Sequence, residues 1–331
     1  MYLSVIIPTF NRYHRLVNAF HSVCNQSLDN HKYEIIIVDN GSTDETRNIV
    51  SLFDGYKNKS IRYVYEPRSG LHWARHTGAK EAKGDILAYT DDDAEVTFDW
   101  LKNLGNAYVD PSVAAAGGPI TVKWTTPPPK WVPSLFPFGR LDLGNQQKAL
   151  SWPQIIGGGN FSVRKSVLFQ VGGFHPDTSV EDKLVGDGEV GLCRKIFSAG
   201  FKIIYMPNAL VYHVQDGLDL NLDIMKHRLR VQGRSSAYIF FRLHHDNLFL
   251  FSRSIILNFL IAMKFQARSV LYYLPKSNDY YRCAAYSALY YAMAKYSLKI
   301  LCNKKFRKIV MRDDWINVSV GLDQTNDFET S

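Results

Sequence analysis

Short apolar runs alternate with amphipathic stretches along the first part of the chain. The apolar runs lie at Leu3–Ile7, Glu34–Val38, Ile61–Tyr65 and Ile86–Tyr89, and the stretches between them at Arg15–Gln26, Asp44–Phe53 and Leu71–Ala82. A continuous apolar run bounded by turn residues is typical of a strand buried on both faces, and helices between such strands make them parallel. The pattern therefore predicts an α/β fold with a doubly wound sheet.

The pattern changes twice further along the chain. Between Pro119 and Pro153 the sequence is rich in proline and tryptophan, which predicts a long loop that lines or covers a binding site. Mixed α/β patterning returns from Gly157 to Tyr212, and from about Leu220 the sequence is helical and rich in aromatic and basic residues. We predict one domain over residues 1–219 and a helical region over residues 220–331.

The charge and the apolar content bear on partners and location. A formal net charge of +8 favours an anionic partner, and the four scattered cysteines favour a reduced, cytoplasmic compartment. The most apolar window, Leu248–Phe265, is interrupted by Arg253 and Lys264. It is shorter than the roughly 20 apolar residues of a spanning helix, so we predict no transmembrane segment. The helical region could pack on the first domain or lie on an anionic inner membrane surface as a peripheral element.

Three consecutive aspartates, Asp91, Asp92 and Asp93, follow the fourth predicted strand. Like charges this close together cost energy unless a cation neutralises them, and carboxylate oxygens suit a hard divalent ion. Alternation along an extended segment would point Asp91 and Asp93 to one side and Asp92 to the other. Ligands of doubly wound sheets bind beyond the carboxyl ends of the strands, which favours a binding site over a solvated acidic turn.

Other polar residues follow neighbouring strands at the same predicted edge. Asp39 ends the second strand and could accept hydrogen bonds from a base or a ribose, or simply close a turn. Arg75 lies about one turn into the helix that Ser69 and Gly70 begin, so it could lie close to a bound diphosphate or at the surface. A positive side chain together with a metal is what a diphosphate leaving group requires.

Further candidates lie later in the chain. The run Gly157–Asn160 contains three glycines, which would let the backbone approach a ligand closely or form a plain turn. Asp187 and Glu189 lie at the start of a predicted helix, where either could act as a general base or only stabilise the helix N-terminus. His213 could bind the metal or hold a loop.

Taken together, these segments resemble glycosyltransferase family 2. The matching segments are Ser4–Arg12, Ile37–Asp44, Arg75–Ile86, Asp91–Asp93, Gly159–Asn160, Val171–Phe174 and the residues around Glu189. Each motif is weak alone, but their order and spacing from residue 3 to about 215 are specific. The resemblance implies a GT-A fold, a Rossmann-like doubly wound mixed sheet, with a C-terminal helical extension. In it, residues 1–118 would bind the nucleotide sugar and residues 119–219 would hold the acceptor and the base.

The resemblance also implies an activity. A sugar would pass from a nucleotide diphosphate sugar, with a UDP-sugar as the expected donor, to a hydroxyl of a glycan or lipid-linked acceptor. The anomeric carbon would be inverted, and Mg²⁺ or Mn²⁺ would spread the charge of the departing diphosphate. We expect a role in polysaccharide or glycoconjugate synthesis and no nucleic-acid partner.

The resemblance assigns roles residue by residue. Donor contacts fall on Pro8, Thr9, Asn11, Arg12, Asp39, Arg68, Arg75, Asp91, Asp92, Gly159 and Asn160. Asp91 resembles the aspartate on the ribose side, and Asp93 resembles the metal ligand, with His213 as a second one. Gly191 stands where the usual pattern has a later acid, so the base is assigned to Glu189 and Asp187 is the alternative.

Two rival functions were weighed against this one. A nucleotidyltransferase that makes nucleotide sugars could use a similar fold and metal, but it predicts a glycine-rich basic loop where this chain has Pro8–Asn11. A non-catalytic carbohydrate- or membrane-binding protein on this scaffold would be favoured if the acidic residues were missing. They are present.

Overall fold

The computed structural model describes residues 2–133, 135, 140–176, 184–273 and 277–317. The first half of the sheet follows the predicted alternation closely. Its elements are β1 (Leu3–Thr9), α1 (Tyr13–Cys24), β2 (Tyr33–Asp39), β3 (Ser60–Tyr65), α2 (Leu71–Glu81) and β4 (Ile86–Thr90). Where the pattern predicts a helix at Asp44–Phe53, a 3₁₀ helix extends over Glu45–Tyr56, and the Asp44 side chain caps it by accepting from the Thr46 amide.

The second half of the first domain completes two sheets. Its elements are β5 (Ala94–Val96), α3 (Trp100–Asn106), β6 (Val113–Gly117), β7 (Ile120–Thr126), β8 (Lys148–Ala149), β9 (Asn160–Arg164), α4 (Lys165–Gln170), α5 (Gly188–Ser198), β10 (Lys202–Tyr205) and β11 (Val211–Asp216). Two short 3₁₀ helices lie at Asn30–Lys32 and Ala107–Val109. The prediction of a loop throughout Pro119–Pro153 is wrong in part, because β7 and β8 lie inside that segment.

The large sheet has the strand order β3-β2-β1-β4-β9-β6-β10-β8. β1 pairs in parallel with both β2 and β4, whereas β9 lies antiparallel to β4 and β6. A smaller sheet has the order β5-β11-β7, in which β11 is antiparallel to β5 and parallel to β7. The predicted doubly wound mixed sheet is confirmed.

Helices cover both faces of the large sheet, and each face has its own core. On one face Val5 and Ile7 pack with Phe20 of α1 and Leu101 of α3. On the other face Ile6 packs with apolar residues of α2, α4 and α5. The alternation of side chains along a strand explains why consecutive residues of β1 enter different cores. All seven residues of β1 are therefore buried, which is why the sequence shows a continuous apolar run.

The helical region contains α6 (Leu222–His244), α7 (Leu248–Leu271), α8 (Asn278–Cys302) and α9 (Lys304–Val310). α8 packs against both α6 and α7. Trp131, from the proline-rich segment, stacks on Tyr281 of α8 with the ring centroids 4.5 Å apart. This contact joins the first domain to the helices. Residues 318–331 of the predicted helical region lie outside the described residues.

α7 overturns the length argument made from the sequence. Among the described residues it is the one helix long and apolar enough to cross a membrane, with 24 residues and a mean hydropathy of 1.7 over its most apolar window. The helix continues past Phe265 to Leu271, so the shorter window underestimated it. Only 17% of that apolar window is buried.

Candidate active site

The three aspartates lie in the turn between β4 and β5, with Asp92 and Asp93 at its centre. The alternation predicted for an extended segment is therefore wrong. The Thr9 hydroxyl donates to Asp92 at 2.8 Å, and Arg12 Nη1 lies 3.1 Å from Asp92 and 3.0 Å from Asp93. Asp92 and Asp93 thus share one guanidinium group at the end of β1, while Asp91 has a different partner.

Strand pairing brings His213 to Asp93. β11 is antiparallel to β5, with His213 opposite Ala94, and His213 Nε2 lies 3.1 Å from Asp93 Oδ1. Burial alone would raise the pKa of Asp93, but the hydrogen bond and charge of His213, with the charges of Arg12 and Arg15, bring it below its usual value. Asp93 is therefore a carboxylate that these cations and the imidazole keep ionised.

Asp92 behaves differently although it is the next residue. Burial raises the pKa of Asp92 to about 6, against the lowering effect of Arg12 and with a further increase from the charge of Asp93. The two neighbouring carboxyl groups therefore have pKa shifts of opposite sign. Asp93 is the better of the two to face a cation.

The residues at this turn fit a divalent metal only in part. In the described portion of the chain, no group of three or more His, Cys, Asp or Glu side chains is arranged to hold an ion. The Asp93 carboxylate and the His213 imidazole are two neighbouring ligand groups, and a mixed oxygen and nitrogen set suits a transition ion such as Mn²⁺. An ion held by these two side chains would need oxygen atoms from a bound ligand to complete its coordination.

A second group of charges forms around Arg75 of α2. Its side chain is only 3% exposed, with Nη2 3.7 Å from Asp91 Oδ1 and Nη1 3.9 Å from Glu189 Oε2. A Cβ atom on Gly158 would lie 2.7 Å from Arg75 Nη2 and 3.1 Å from Glu189 Oε2, and one on Gly159 would lie 2.6 Å from Asp91 Oδ2. The glycine run therefore makes room for the charged side chains themselves.

Asp187 and Glu189, the two candidates for the base, have different surroundings. The Asp187 side chain is 1% exposed, and its Oδ1 lies 2.7 Å from Nδ1 of the buried His175. Burial lowers the pKa of His175 despite the opposing effect of Asp187, so a neutral ring donates to the carboxylate from Nδ1. The Glu189 side chain is 28% exposed. Asp187 is committed to a contact within the fold, whereas Glu189 is accessible.

These charges surround a cavity of about 440 Å³. Of the residues predicted from the sequence, those that line it are Arg75, Asp91, Gly159, Asp187, Glu189 and His213. The other predicted residues are not part of its lining; they are Pro8, Thr9, Asn11, Arg12, Asp39, Arg68, Asp92, Asp93 and Asn160. The contact between His213 and Asp93 links this cavity to the edge formed by the ends of β1 and β2.

At that edge, side chains hold the strand ends in place. Asp39 accepts from the Ser42 amide at 2.8 Å and from the Tyr63 hydroxyl, and Asn11 Oδ1 accepts from the Thr43 amide at 2.7 Å. Arg68 forms a two-point ion pair with Glu66, at 2.8 and 2.7 Å, and its guanidinium lies 4.2 Å from the centroid of the Trp73 ring. Pro8 is buried near the end of β1.

Asn160, at the start of β9, is held by side-chain hydrogen bonds within the fold. Its side chain is fully buried, accepts from Trp100 Nε1 at 2.9 Å, and donates to the carbonyls of Pro119 and Ala209 at 3.0 and 2.7 Å. All of its hydrogen-bonding groups are thus used within the fold. These contacts fix the start of β9, and the donor contact of Asn160 stays a prediction.

The sequence analysis missed one wall of the cavity. The residues Arg228, Val231, Gln232 and Ser235 of α6 line it. Their spacing of three, four and seven residues puts them on one face of the helix, a signal that was present in the sequence. Arg228 donates to Gln215 Oε1 at 3.3 and 3.4 Å. Burial lowers the pKa of Arg228, while the charge of Asp93 opposes that effect.

Comparison with known proteins agrees with this geometry. The model of the family described as glycosyl transferase family 2 matches residues 4–172. The chain is 25% identical over 261 residues to glycosyltransferase AglE of Haloferax volcanii, covering 78% of this chain and 81% of the relative. It is 27% identical over 222 residues to the glucosyl-dolichyl phosphate glucuronosyltransferase of the same organism, covering 64% and 69%.

A solved structure shares the fold. The crystal structure of GalNAc-T7 with UDP, GalNAc and Mn²⁺ matches with a TM-score of 0.51 and 20% identity, covering 70% of this chain and 48% of that chain. The chain therefore spans about half of that protein. The family match covers half of the sequence and includes the adjacent parallel strands β1 to β4, whose ends carry Asp39 and the three aspartates. The chain belongs to glycosyltransferase family 2, has the GT-A fold, and is a glycosyltransferase.

Proposed function

We propose that this chain transfers a sugar from a UDP-sugar to an acceptor hydroxyl with inversion at the anomeric carbon, assisted by a divalent metal ion. The observation that carries the proposal is the convergence of Asp91 and Glu189 on the buried Arg75 inside one cavity, with His213 in its wall. The cavity thus has the accessible carboxylate of Glu189 for proton transfer and the arginine side chains of Arg75 and Arg228 for a diphosphate. A nucleotidyltransferase has no need of a base at the Glu189 position.

The donor would lie across the ends of β1, β2 and β4. Asp39, at the end of β2, would contact the nucleoside. Arg12 and Arg15 lie 3.0 and 3.8 Å from Asp93 and would supply positive charge for the diphosphate. Arg12 is half exposed, so its guanidinium is accessible to a ligand. The UDP found in the GalNAc-T7 structure supports the choice of uridine donors.

Asp93 and His213 would hold the metal ion. When bound there, Mg²⁺ or Mn²⁺ supplies positive charge that stabilises the leaving nucleoside diphosphate. The Mn²⁺ in the GalNAc-T7 structure supports this assignment. Arg75 and Arg228, which both line the cavity, add fixed positive charge from the protein itself.

Glu189 would act as the general base. Its carboxylate accepts the proton of the acceptor hydroxyl while the acceptor oxygen attacks the anomeric carbon from the side opposite the diphosphate. The bond between that carbon and the diphosphate oxygen breaks, and its electrons leave with the nucleoside diphosphate. A single displacement of this kind inverts the anomeric carbon. The burial of Asp187 against His175 supports Glu189 as the base.

The acceptor is proposed to be a lipid-linked glycan. The name of the relative that transfers glucuronic acid to glucosyl-dolichyl phosphate supports this class. The cavity wall also carries apolar residues, Leu71, Ile120, Val190 and Val231, against which the apolar face of a sugar ring can pack.

The test uses the full chain with UDP-, GDP- and dTDP-sugars, each with Mn²⁺ or with a chelator. We expect nucleoside diphosphate release from UDP-sugars with Mn²⁺ only, and NMR of the product should show the anomeric configuration opposite to that of the donor. Turnover of GDP- or dTDP-sugars alone would refute the uridine assignment. Retained configuration would refute the single displacement, and full activity in the chelator would refute the metal.

A further inference from the structure

α7 has the reverse of the side-chain distribution expected of a helix in water. Large apolar residues that are 56% to 79% exposed run along it; they are Phe249, Ile256, Leu257, Leu260, Met263, Val270 and Leu271. Their spacing of three, four or seven residues places most of them on one continuous face. A surface helix of a globular protein normally turns such a face toward the core.

The opposite face of α7 is buried and is formed largely by small and polar residues. Phe251 is buried near the start of α7, and the other buried residues are Asn258, Ala262 and Ser269. The Ser287 hydroxyl of α8 donates to the Ala262 carbonyl at 3.0 Å. Small residues with a few polar contacts are how helices pack when their outer surfaces face lipid, because lipid gives apolar side chains no reason to turn inward. The packing of α7 on α8 therefore points to an apolar environment outside the protein.

The charges of α7 all have one sign. Arg253, Lys264 and Arg268 are exposed, and Leu248–Leu271 contains no aspartate or glutamate. Basic side chains among exposed apolar ones attract anionic headgroups while their aliphatic parts stay in the apolar layer. A second copy of this chain would instead bring the same positive charges together. Charge complementarity thus selects an anionic lipid surface over self-association.

We propose that the exposed face of α7 docks this enzyme on an anionic bilayer, with the helix lying in the plane of the interface. Only ten residues, Ser254–Met263, separate Arg253 from Lys264. They span about 15 Å, whereas the hydrocarbon core is about 30 Å thick, so a crossing helix would have to bury these charges. The exposed Tyr272 and Tyr273 at the end of α7 suit the headgroup region.

This docking would bring the cavity close to the lipid. α6 lines the cavity, and α8 packs on both α6 and α7. Two helix spacings of 8–10 Å place the docking face about 20 Å from α6. An acceptor carried on a membrane lipid would then be presented near the cavity. This presentation of the acceptor rests on the proposed function, whereas membrane binding itself does not.

The test is flotation of the full chain with vesicles of phosphatidylglycerol and phosphatidylcholine in equal parts at low salt. We expect the wild type to float, and the variant Ile256→Asp/Leu260→Asp to bind at least about tenfold more weakly, because two apolar side chains lose their burial in lipid. Val109→Asp is the matched control, since Val109 is 85% exposed on the first domain. It should float like the wild type.

A second variant separates charge from apolar contact. Replacing Arg253 and Lys264 by glutamine should weaken binding to the anionic vesicles about fivefold for each charge and leave binding to pure phosphatidylcholine unchanged. Transfer to a soluble acceptor should be the same in all these variants, so loss of catalysis and loss of docking are distinguishable. Wild-type protein that stays in the soluble fraction would overturn the proposal. So would a wild-type dimer that Ile256→Asp/Leu260→Asp converts to a monomer without any vesicle binding.

Discussion

Exchanging the two candidate carboxylates for their amides separates catalysis from stability. Glu189→Gln keeps the shape of a side chain that is accessible in the cavity, 3.9 Å from Arg75. Loss of a general base costs about 10² to 10⁴ in kcat, which corresponds to about 3–5 kcal/mol of activation free energy. Donor binding should change little, because the base contacts the acceptor. The free energy of unfolding should also stay close to that of the wild type.

Asp187→Asn should show the opposite result. Its carboxylate accepts from the buried His175, and a hydrogen bond to a charged acceptor in such a place contributes about 2 kcal/mol. We expect the free energy of unfolding to fall by about that amount, while kcat at a temperature where the variant is folded falls much less than in Glu189→Gln. The assays are steady-state release of nucleoside diphosphate, donor titration calorimetry and urea unfolding. A larger kcat loss in Asp187→Asn, at full folding, would refute the assignment of Glu189.

Three further predictions follow from other contacts. Gly158→Ala places a Cβ against Arg75 and Glu189, so kcat/KM should fall about tenfold or more with little change in the urea midpoint. In the control Gly55→Ala, where a Cβ meets nothing within 4 Å, kcat/KM should be unchanged. Asn160→Ala removes three buried hydrogen bonds, so the free energy of unfolding in urea should fall by at least about 3 kcal/mol. A weaker donor affinity at unchanged stability would contradict this and would favour the predicted donor contact. Burial lowers the pKa of His72 to about 3, so the stability that its neutral form contributes is present above pH 6.5 and is lost as the pH falls. Between pH 7 and pH 5 the free energy of unfolding of the wild type should fall by about 2 kcal/mol more than that of His72→Gln. Parallel curves of unfolding free energy against pH for the two proteins would contradict this.

Local pattern predicted the parallel half of the fold well. β1, β2 and β4 are buried on both faces, so most of their residues are apolar regardless of which elements pack on them. The loop prediction at Pro119–Pro153 failed at β7, whose alternating burial comes from pairing with the distant β11. Strand pairing between residues so far apart in sequence is a tertiary effect, and local propensity does not report it.

The site could be predicted residue by residue only where a motif by itself identifies the residue. Asp91 and Glu189 line the cavity as the motifs indicate, but the turn at Asp92 and Asp93 depends on Arg12, which follows β1 at the start of α1. The wall formed by α6 follows from how the helical region packs, and Arg228 belongs to no motif. The roles assigned to these residues stay predictions until variants are measured.

Mn²⁺-dependent donor binding tests the central claim most directly. The measurement is calorimetric titration of a UDP-sugar into wild type, Asp93→Asn and Glu95→Gln, each with and without Mn²⁺. Glu95 is the matched control, because its carboxylate binds Lys123 at 2.7 Å and does not line the cavity. We predict Mn²⁺-dependent binding in the wild type and Glu95→Gln, and its loss in Asp93→Asn. Equal binding by Asp93→Asn in Mn²⁺, or no binding by the wild type, would contradict the metal-assisted donor site.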